Sequence, residues 1–405
     1  MRMSDVRGIV KLAKQATSGI THIVEGVHRS VWRTMGFPGS KVPGKTRGIT
    51  GLVYKTVHGI TGLTGKSADA MMAGLQQLFE SAESETLETP RREAILAVLN
   101  GVMGDRLVDD NSPFAIPMSL RYREQTLSRQ SPPPQADVSS KVLLLIHGLC
   151  MDDLQQYGRR KNHAAEYGDA LALQLDYCPV YLRYNSGLHI SLNGRELSAQ
   201  LEQLLTLWPR PIEDLSVVAH SMGGLVIRSA LHYAKQEGFQ WPGRIGSIVF
   251  LGTPHHGAPL ERAGNWLDII MGASPYTKPF TALAQLRSAG ITDLRYGNVL
   301  DEDWHGHDRF HLKPDTRQLA PLPETVTCHT VAATLAEQRG ALADHLVGDG
   351  VVPLRSALGQ HKEAQRSLAF AESSQLIAYR TNHMELLDSP EVFDQIEQWL
   401  EQNER

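Results

Sequence analysis

A chain of 405 residues with 41% hydrophobic content is longer than one typical domain and apolar enough for a sizeable core. Cys150, Cys178 and Cys328 form no CxxC pair, which argues against a disulfide framework or a zinc knuckle. No run reaches the roughly 18–20 apolar residues of a membrane span, and the charged start lacks the apolar core of a secretory signal. The net charge of −4 hides an asymmetry: residues 1–67 carry eleven Lys/Arg against two acids, so the head is basic and the remainder acidic.

That basic head repeats itself. Arg7-Gly-Ile-Val and Ser18-Gly-Ile-Thr are eleven residues apart, as are Arg47-Gly-Ile-Thr and His58-Gly-Ile-Thr. Eleven residues make three helical turns of about 3.67 residues each, so each repeat returns its Ile to nearly the same side. Val6, Ile9, Val10, Ala13, Ile20, Ile23, Val24, Val27 and Val31 form an apolar stripe, with Arg7, Lys11, Lys14 and Ser18 on another face. Glycines and prolines at 36–44 break the pattern and suggest a hairpin. Two readings stand. The helices lie on an anionic membrane or lipid-droplet surface, as the similar eleven-residue repeats of synucleins and perilipins do, or they pack as a hairpin on the rest of the chain or on another subunit. Nucleic acid is not expected as a partner, because no aromatic-rich binding motif accompanies the charge. With further helices at 67–81 and 91–102, residues 1–104 are expected to be helical.

From residue 112 the pattern changes to short apolar runs separated by helices. A first strand is expected at 118–122, followed by a proline loop at 131–135. Lys141-Val-Leu-Leu-Leu-Ile-His-Gly-Leu149 reads as a parallel strand buried on both faces; its His-Gly-Leu end opens a loop whose Leu149 N–H is a candidate oxyanion donor. Another core strand is expected at 179–184, with a helix from about 193. Leu215-Ser-Val-Val-Ala-His-Ser-Met-Gly-Gly-Leu225 reads as strand, one-residue elbow at Ser221, then helix. Ala219 and Gly223 keep both flanks of the serine small, as a strained strand-to-helix turn demands. The helix start aims the Met222 N–H at the same space and makes it the second candidate donor.

A further buried strand ends in Gly252-Thr-Pro-His-His-Gly257; His255 and His256 shape a loop near the site without a catalytic role. An insertion runs from about 258 to 323. Within it His305, His307, Asp308 and His311 lack regular helical ligand spacing and read as a solvated loop, so no metal is expected. Val347-Gly-Asp-Gly-Val-Val-Pro353 places Asp349 in a tight loop after a strand, as the acid that would fix a histidine tautomer; Asp344 is the alternative. A strand from about 374 then leads to His383, and a last helix is expected at 390–402. His147 and His220 flank the site as packed or hydrogen-bonded residues. The order Ser221, Asp349, His383 is that of α/β-hydrolases.

On His147-Gly-Leu149, Ala219-His-Ser-Met-Gly-Gly224, Gly252-Thr-Pro-His-His-Gly257, Gly348-Asp-Gly-Val-Val-Pro353 and Asn382-His383, the chain resembles the lipase and esterase branch of the α/β-hydrolases. Within that branch it is similar to bacterial PGAP1-type (GPI inositol-deacylase-like) lipases. The resemblance covers roughly residues 115–405. It implies an α/β-hydrolase fold, a mostly parallel sheet flanked by helices, over residues 112–405, with a lid-like insertion at about 258–323 and the helical region as an N-terminal extension. It also implies a serine hydrolase of carboxylic esters, with lipid or other long-chain esters favoured and no cofactor. An intracellular polyester depolymerase or an amidase would use the same triad, and an idle hydrolase-like body tethered by its basic head is disfavoured by the complete set of residues. Secreted relatives often carry calcium near the acid and histidine loops; Glu385 has no partner carboxylate here, and none is expected. The protein is expected in the cytoplasm, with peripheral attachment at the inner membrane face through residues 1–67 if the surface-binding reading holds.

Overall fold

The computed structural model describes residues 90–153, 167–258, 287–306, 315–337 and 348–402. The eleven-residue repeat, the helix expected at 67–81, and residues 259–286 and 307–314 of the insertion lie outside the described residues.

The apolar runs become the centre of an eight-stranded sheet. Its strands are β1 (Ser119–Tyr122), β2 (Gln125–Thr126), β3 (Lys141–Ile146), β4 (Cys178–Arg183), β5 (Asp214–His220), β6 (Ile245–Leu251), β7 (Thr327–Thr334) and β8 (Gln375–Tyr379), in the spatial order β2-β1-β4-β3-β5-β6-β7-β8. Strand β1 pairs antiparallel with β2 and β4, and every pair from β4 across to β8 is parallel. This is the α/β-hydrolase fold expected from the sequence. Successive side chains of a strand point to opposite faces. Val142, Leu144 and Ile146 of β3 and Leu215, Val217 and Ala219 of β5 therefore enter one apolar cluster. Leu143, Leu145 and Val218 enter the other. Both faces are covered, which is why these strands read as unbroken apolar runs rather than alternating ones.

The described residues form eight α-helices: α1 (Pro90–Asp109), α2 (Tyr167–Leu175), α3 (Ile190–Leu207), α4 (Met222–Glu237), α5 (Ala289–Tyr296), α6 (Asp301–Trp304), α7 (Leu354–Ala357) and α8 (Pro390–Gln402). Helices α1, α3 and α4 pack in the first cluster, α2 and α8 in the second. Helix α3 begins three residues before the expected 193. The buried carboxylate of Asp293 accepts the Ile190 N–H at 3.0 Å and lies 2.8 Å from His189 Nδ1, so the start is capped from a distant segment and has no local cap signal.

Helix α1 runs past the expected limit of 104. It is interrupted at Met103, whose φ of −143° is non-helical, but continues to Asp109. Its Ile95, Leu99, Val102, Met103 and Leu107 share the apolar cluster of the sheet. The helix backbone lies directly against Cys150 at Gly101 and against Asn185 at Gly104, where any side chain would collide. Glu93, fully buried, pairs with Arg183 at the end of β4. Residues 90–109 thus pack as part of the sheet domain, because their apolar face has its partner there. Buried Asn100 completes the junction: its Nδ2 donates to Leu96 O and Phe114 O at 2.8 Å each, and its Oδ1 accepts the Ile116 N–H at 2.9 Å. Replacing Asn100 by Ala leaves these buried groups unpaired at about 1–3 kcal/mol. The expected outcome is a fall of that size in unfolding free energy, read by urea denaturation; an unchanged midpoint would show that α1 does not contribute to the folded domain.

Candidate active site

Ser221 sits alone between β5 and α4 with φ 54° and ψ −121°, a left-handed conformation costly for a residue with a side chain. Three contacts hold it there. The Ser221 N–H donates to Leu251 O at 2.8 Å, and Ser221 O accepts the Gly224 N–H at 3.1 Å. The first turn of α4 backs onto the end of β3 so closely that a Cβ on Gly223 would lie 2.7 Å from Ile146 O and 2.8 Å from His147 O. The small residue two positions after the serine is thus fixed by backbone on backbone.

His383 follows β8 on a short polar turn. Asn382 Oδ1 accepts the Met384 and Glu385 N–H groups at 3.0 Å, and the Glu385 carboxylate accepts the Asn382 N–H at 2.8 Å. The Glu385 carboxylate therefore serves the turn itself. The His383 N–H donates to Asp349 O at 3.1 Å, joining the histidine and acid loops. Asp349 lies between Gly348 and Gly350, with φ of +55° and +91°, values at which glycine avoids the strain of a side chain. Its Oδ1 accepts two backbone N–H groups, Val351 at 2.9 Å and Val352 at 2.7 Å. Its Oδ2 is left for His383 Nδ1 at 2.7 Å, and His383 Nε2 lies 2.9 Å from Ser221 Oγ. With the proton on Nδ1 donated to the carboxylate, Nε2 faces the serine as an acceptor. All three side chains are buried, Ser221 at 2% exposure and the other two at 0%. Asp344 lies outside the described residues.

The candidate donors Leu149 and Met222 lie on the two segments that flank the elbow. A Cβ on Gly148 would stand 3.0 Å from Ser221 Cβ, so the loop after β3 runs against the serine. The Leu149 N–H has no acceptor among the described residues, and Met222 opens α4, where the first N–H groups lack intrahelical partners. The loop is braced from β4, by Ser186 Oγ accepting the Cys150 N–H at 3.1 Å and by the Tyr184 hydroxyl donating to His147 O at 2.9 Å. Sequence reasoning passed over Tyr184 and Ser186. Their signal was a Tyr-Asn-Ser-Gly run directly after an apolar strand. Cys150 beside the loop is no second nucleophile: burial pushes its thiol up to about 12, far from thiolate at neutral pH.

His147, His220 and His256 are taken up by packing and hydrogen bonds. His147 donates from Nδ1 to Gly148 O at 2.9 Å and stacks on Tyr184. His220 donates from Nε2 to His383 O at 3.2 Å. The His256 N–H bonds Ser356 Oγ, and its ring bonds Gly359 O. Among the described residues no three His, Cys, Asp or Glu side chains are grouped as metal ligands. His307, Asp308 and His311 lie outside them, while the His305 ring is 5.6 Å from that of Trp304. Among the same residues no helix is long and apolar enough to cross a membrane.

A family model described as "Domain of unknown function (DUF7379)" matches residues 117–294, from β1 through the elbow to α5. No curated protein matches the chain. Among solved structures, the mature form of Bacillus licheniformis lipase BlEst2 is 17% identical, with a TM-score of 0.42 over 67% of this chain and 94% of that one. The Pyrococcus furiosus esterase Pf2001 is 13% identical, with a TM-score of 0.37 over 65% and 82%. YbtT, a type II thioesterase from the yersiniabactin NRPS/PKS pathway, is 13% identical, with a TM-score of 0.37 over 67% and 98%. The fold is defined by this chain's own strand order and elbow.

The buried histidines set an acid limit on stability. Burial lowers His147, His256 and His329 to about 4. Burial first, then neighbouring charge, holds His220 and His255 well below the ordinary value. The folded state thus keeps them neutral, while the unfolded chain binds their protons at about pH 6.5. Below that pH the unfolded state binds more protons, so stability present at neutral pH is lost as the pH falls from about 6.5 towards 4. Urea midpoints should therefore drop between pH 7 and pH 5. His329→Phe, which retains an aromatic ring on Trp399, should flatten that slope; equal midpoints at both pH values would contradict the assignment.

Proposed function

We propose that the protein is a serine hydrolase of carboxylic esters. The observation that carries this is the continuous chain Ser221 Oγ, His383 Nε2, His383 Nδ1, Asp349 Oδ2, with contacts of 2.9 and 2.7 Å, mounted on a strained elbow. Ser221 Oγ attacks the ester carbonyl carbon as its proton passes to His383 Nε2, and Asp349 stabilises the imidazolium. The tetrahedral oxyanion takes the Leu149 and Met222 N–H groups as donors. Its collapse breaks the carbon–alkoxide bond, and the departing alcohol takes the proton from His383. Water repeats the steps on the acyl-enzyme and releases the carboxylic acid.

Lipid and other long-chain esters are the favoured substrates. The motif resemblance to PGAP1-type lipases supports this, as does a basic, amphipathic repeat suited to an anionic membrane or lipid-droplet surface. A polyester depolymerase or an amidase would use the same triad, and a panel of acyl chain lengths, polyesters and amides separates them.

Ser221→Ala should abolish both ester turnover and labelling by a fluorophosphonate probe with the circular dichroism spectrum unchanged. Asp349→Asn should lower kcat by orders of magnitude, since an amide favours the wrong histidine tautomer, and Asp344→Asn should change it little. Labelling of Ser221→Ala at the wild-type level would sink the reading, and an exchange of the two aspartate results would move the acid to Asp344.

Removing residues 1–67 should release the protein from anionic vesicles while sparing hydrolysis of short soluble esters, because every candidate catalytic residue lies beyond 140. Each basic residue near such a surface contributes about 1 kcal/mol, so binding by the full chain should weaken with salt. Equal co-sedimentation of both forms would favour the packed hairpin.

A further inference from the structure

His383 stands between β8 and the short turn at Glu385–Leu387, outside any helix or strand. Its backbone is therefore held by other segments. Its N–H donates to Asp349 O at 3.1 Å, and its C=O accepts the His220 Nε2–H at 3.2 Å. The two bonds differ in what they refer to. Asp349 also holds the imidazole, at 2.7 Å from Nδ1, so it ties base to acid and by itself fixes neither against Ser221. His220 is the last residue of β5 and the residue before the nucleophile. It lies inside the sheet, opposite Leu251 of β6, and is 1% exposed. Its ring therefore ties His383 to the strand that carries Ser221.

Ser221 Oγ, 2.9 Å from His383 Nε2, does not supply this hold. The proton crosses that contact in each half of the reaction, and Oγ leaves it for the ester carbon. A hold that survives turnover has to act elsewhere on His383, and its carbonyl takes no part in proton transfer. Burial first, then the neighbouring His383, keeps His220 well below the ordinary histidine value, so it carries a single ring proton at neutral pH. His383 O can only accept, which places that proton on Nε2. The other nitrogen, Nδ1, has no partner. A Cβ on Gly148 would lie 3.1 Å from it and 3.0 Å from Ser221 Cβ. The ring thus spans from the base to the candidate oxyanion loop, its centroid 4.8 Å from that of His383.

We infer that His220 is a positioning residue for the base: its Nε2–H holds the His383 carbonyl so that the imidazole stays aimed at Ser221 Oγ through turnover. The inference rests on the hydrolase reading. It predicts a loss in rate rather than in substrate binding, because the enclosed ring acts through His383. A misplacement of about 1 Å at a reacting group costs up to about 100-fold in rate.

The test is hydrolysis of p-nitrophenyl butyrate by the full chain carrying one of three replacements. His220→Gln keeps an amide N–H at the reach of Nε2. His220→Asn carries the same amide one methylene short, and His220→Leu has no donor. Asn and Leu should lower kcat about 10–100-fold with KM within about twofold of the wild type. The rate constant of fluorophosphonate labelling should fall in step. Gln should recover kcat to within about fivefold of the wild type. Melting temperatures read the fold separately: Gln and Asn both remove the ring, so a rate difference between them belongs to the donor. If Leu does not fold, that pair decides alone. Equal kcat for Gln and Asn, wild-type kcat in Leu, or a loss that appears in KM overturns the inference. A wild type that neither labels at Ser221 nor turns over any ester overturns the hydrolase reading and the inference with it, so the two failures are distinct.

Discussion

The site depends on one backbone conformation, the left-handed Ser221 between a parallel strand and a helix. A residue with a side chain holds such a conformation only when its surroundings over-determine it, at a cost of about 1–3 kcal/mol. Here the neighbours are structural, with Leu251 O accepting the Ser221 N–H and the end of β3 pressed against Gly223. The same approach brings the loop at Gly148 beside Ser221. Elbow and candidate oxyanion loop are therefore consequences of a single packing event, the meeting of the carboxyl ends of β3, β5 and β6.

A second constraint is electrical. The candidate triad is buried, yet it contains one carboxylate. Asp349 is made tolerable by two backbone N–H donors on one oxygen and His383 on the other, so its charge is hydrogen-bonded in full while its outward oxygen is aimed at the imidazole. The surrounding histidines contribute rings without charge. Burial lowers His147 to about 4 and holds His220 well below the ordinary value, so neither ring brings a positive charge beside the carboxylate at neutral pH.

Much of this was legible in the sequence, for identifiable reasons. Continuous apolar runs announced strands buried on both faces, and the small residues around Ser221 announced the elbow. Asp349 between two glycines marked a loop that needs positive φ. The missing pieces came from non-local contacts. The start of α3 is capped by Asp293 across the insertion, so no residue before Ile190 signals it. Tyr184 and Ser186 matter through a hydroxyl and an oxygen placed under a loop far earlier in the chain, where periodicity says nothing.

Helix α1 shows how such contacts redraw a boundary. Composition places it with the basic head that precedes it, yet its apolar face, its buried Asn100 and its Glu93 all find partners in the sheet domain. Its contact at Gly101 is with Cys150, the residue after Leu149, and its contact at Gly104 is with Asn185, beside the Ser186 that braces the same loop. The helix is thus part of the support under the candidate oxyanion donor. Two glycines on the helix, Gly101 against Cys150 and Gly104 against the Asn185 side chain, let it approach that loop where any larger residue would collide.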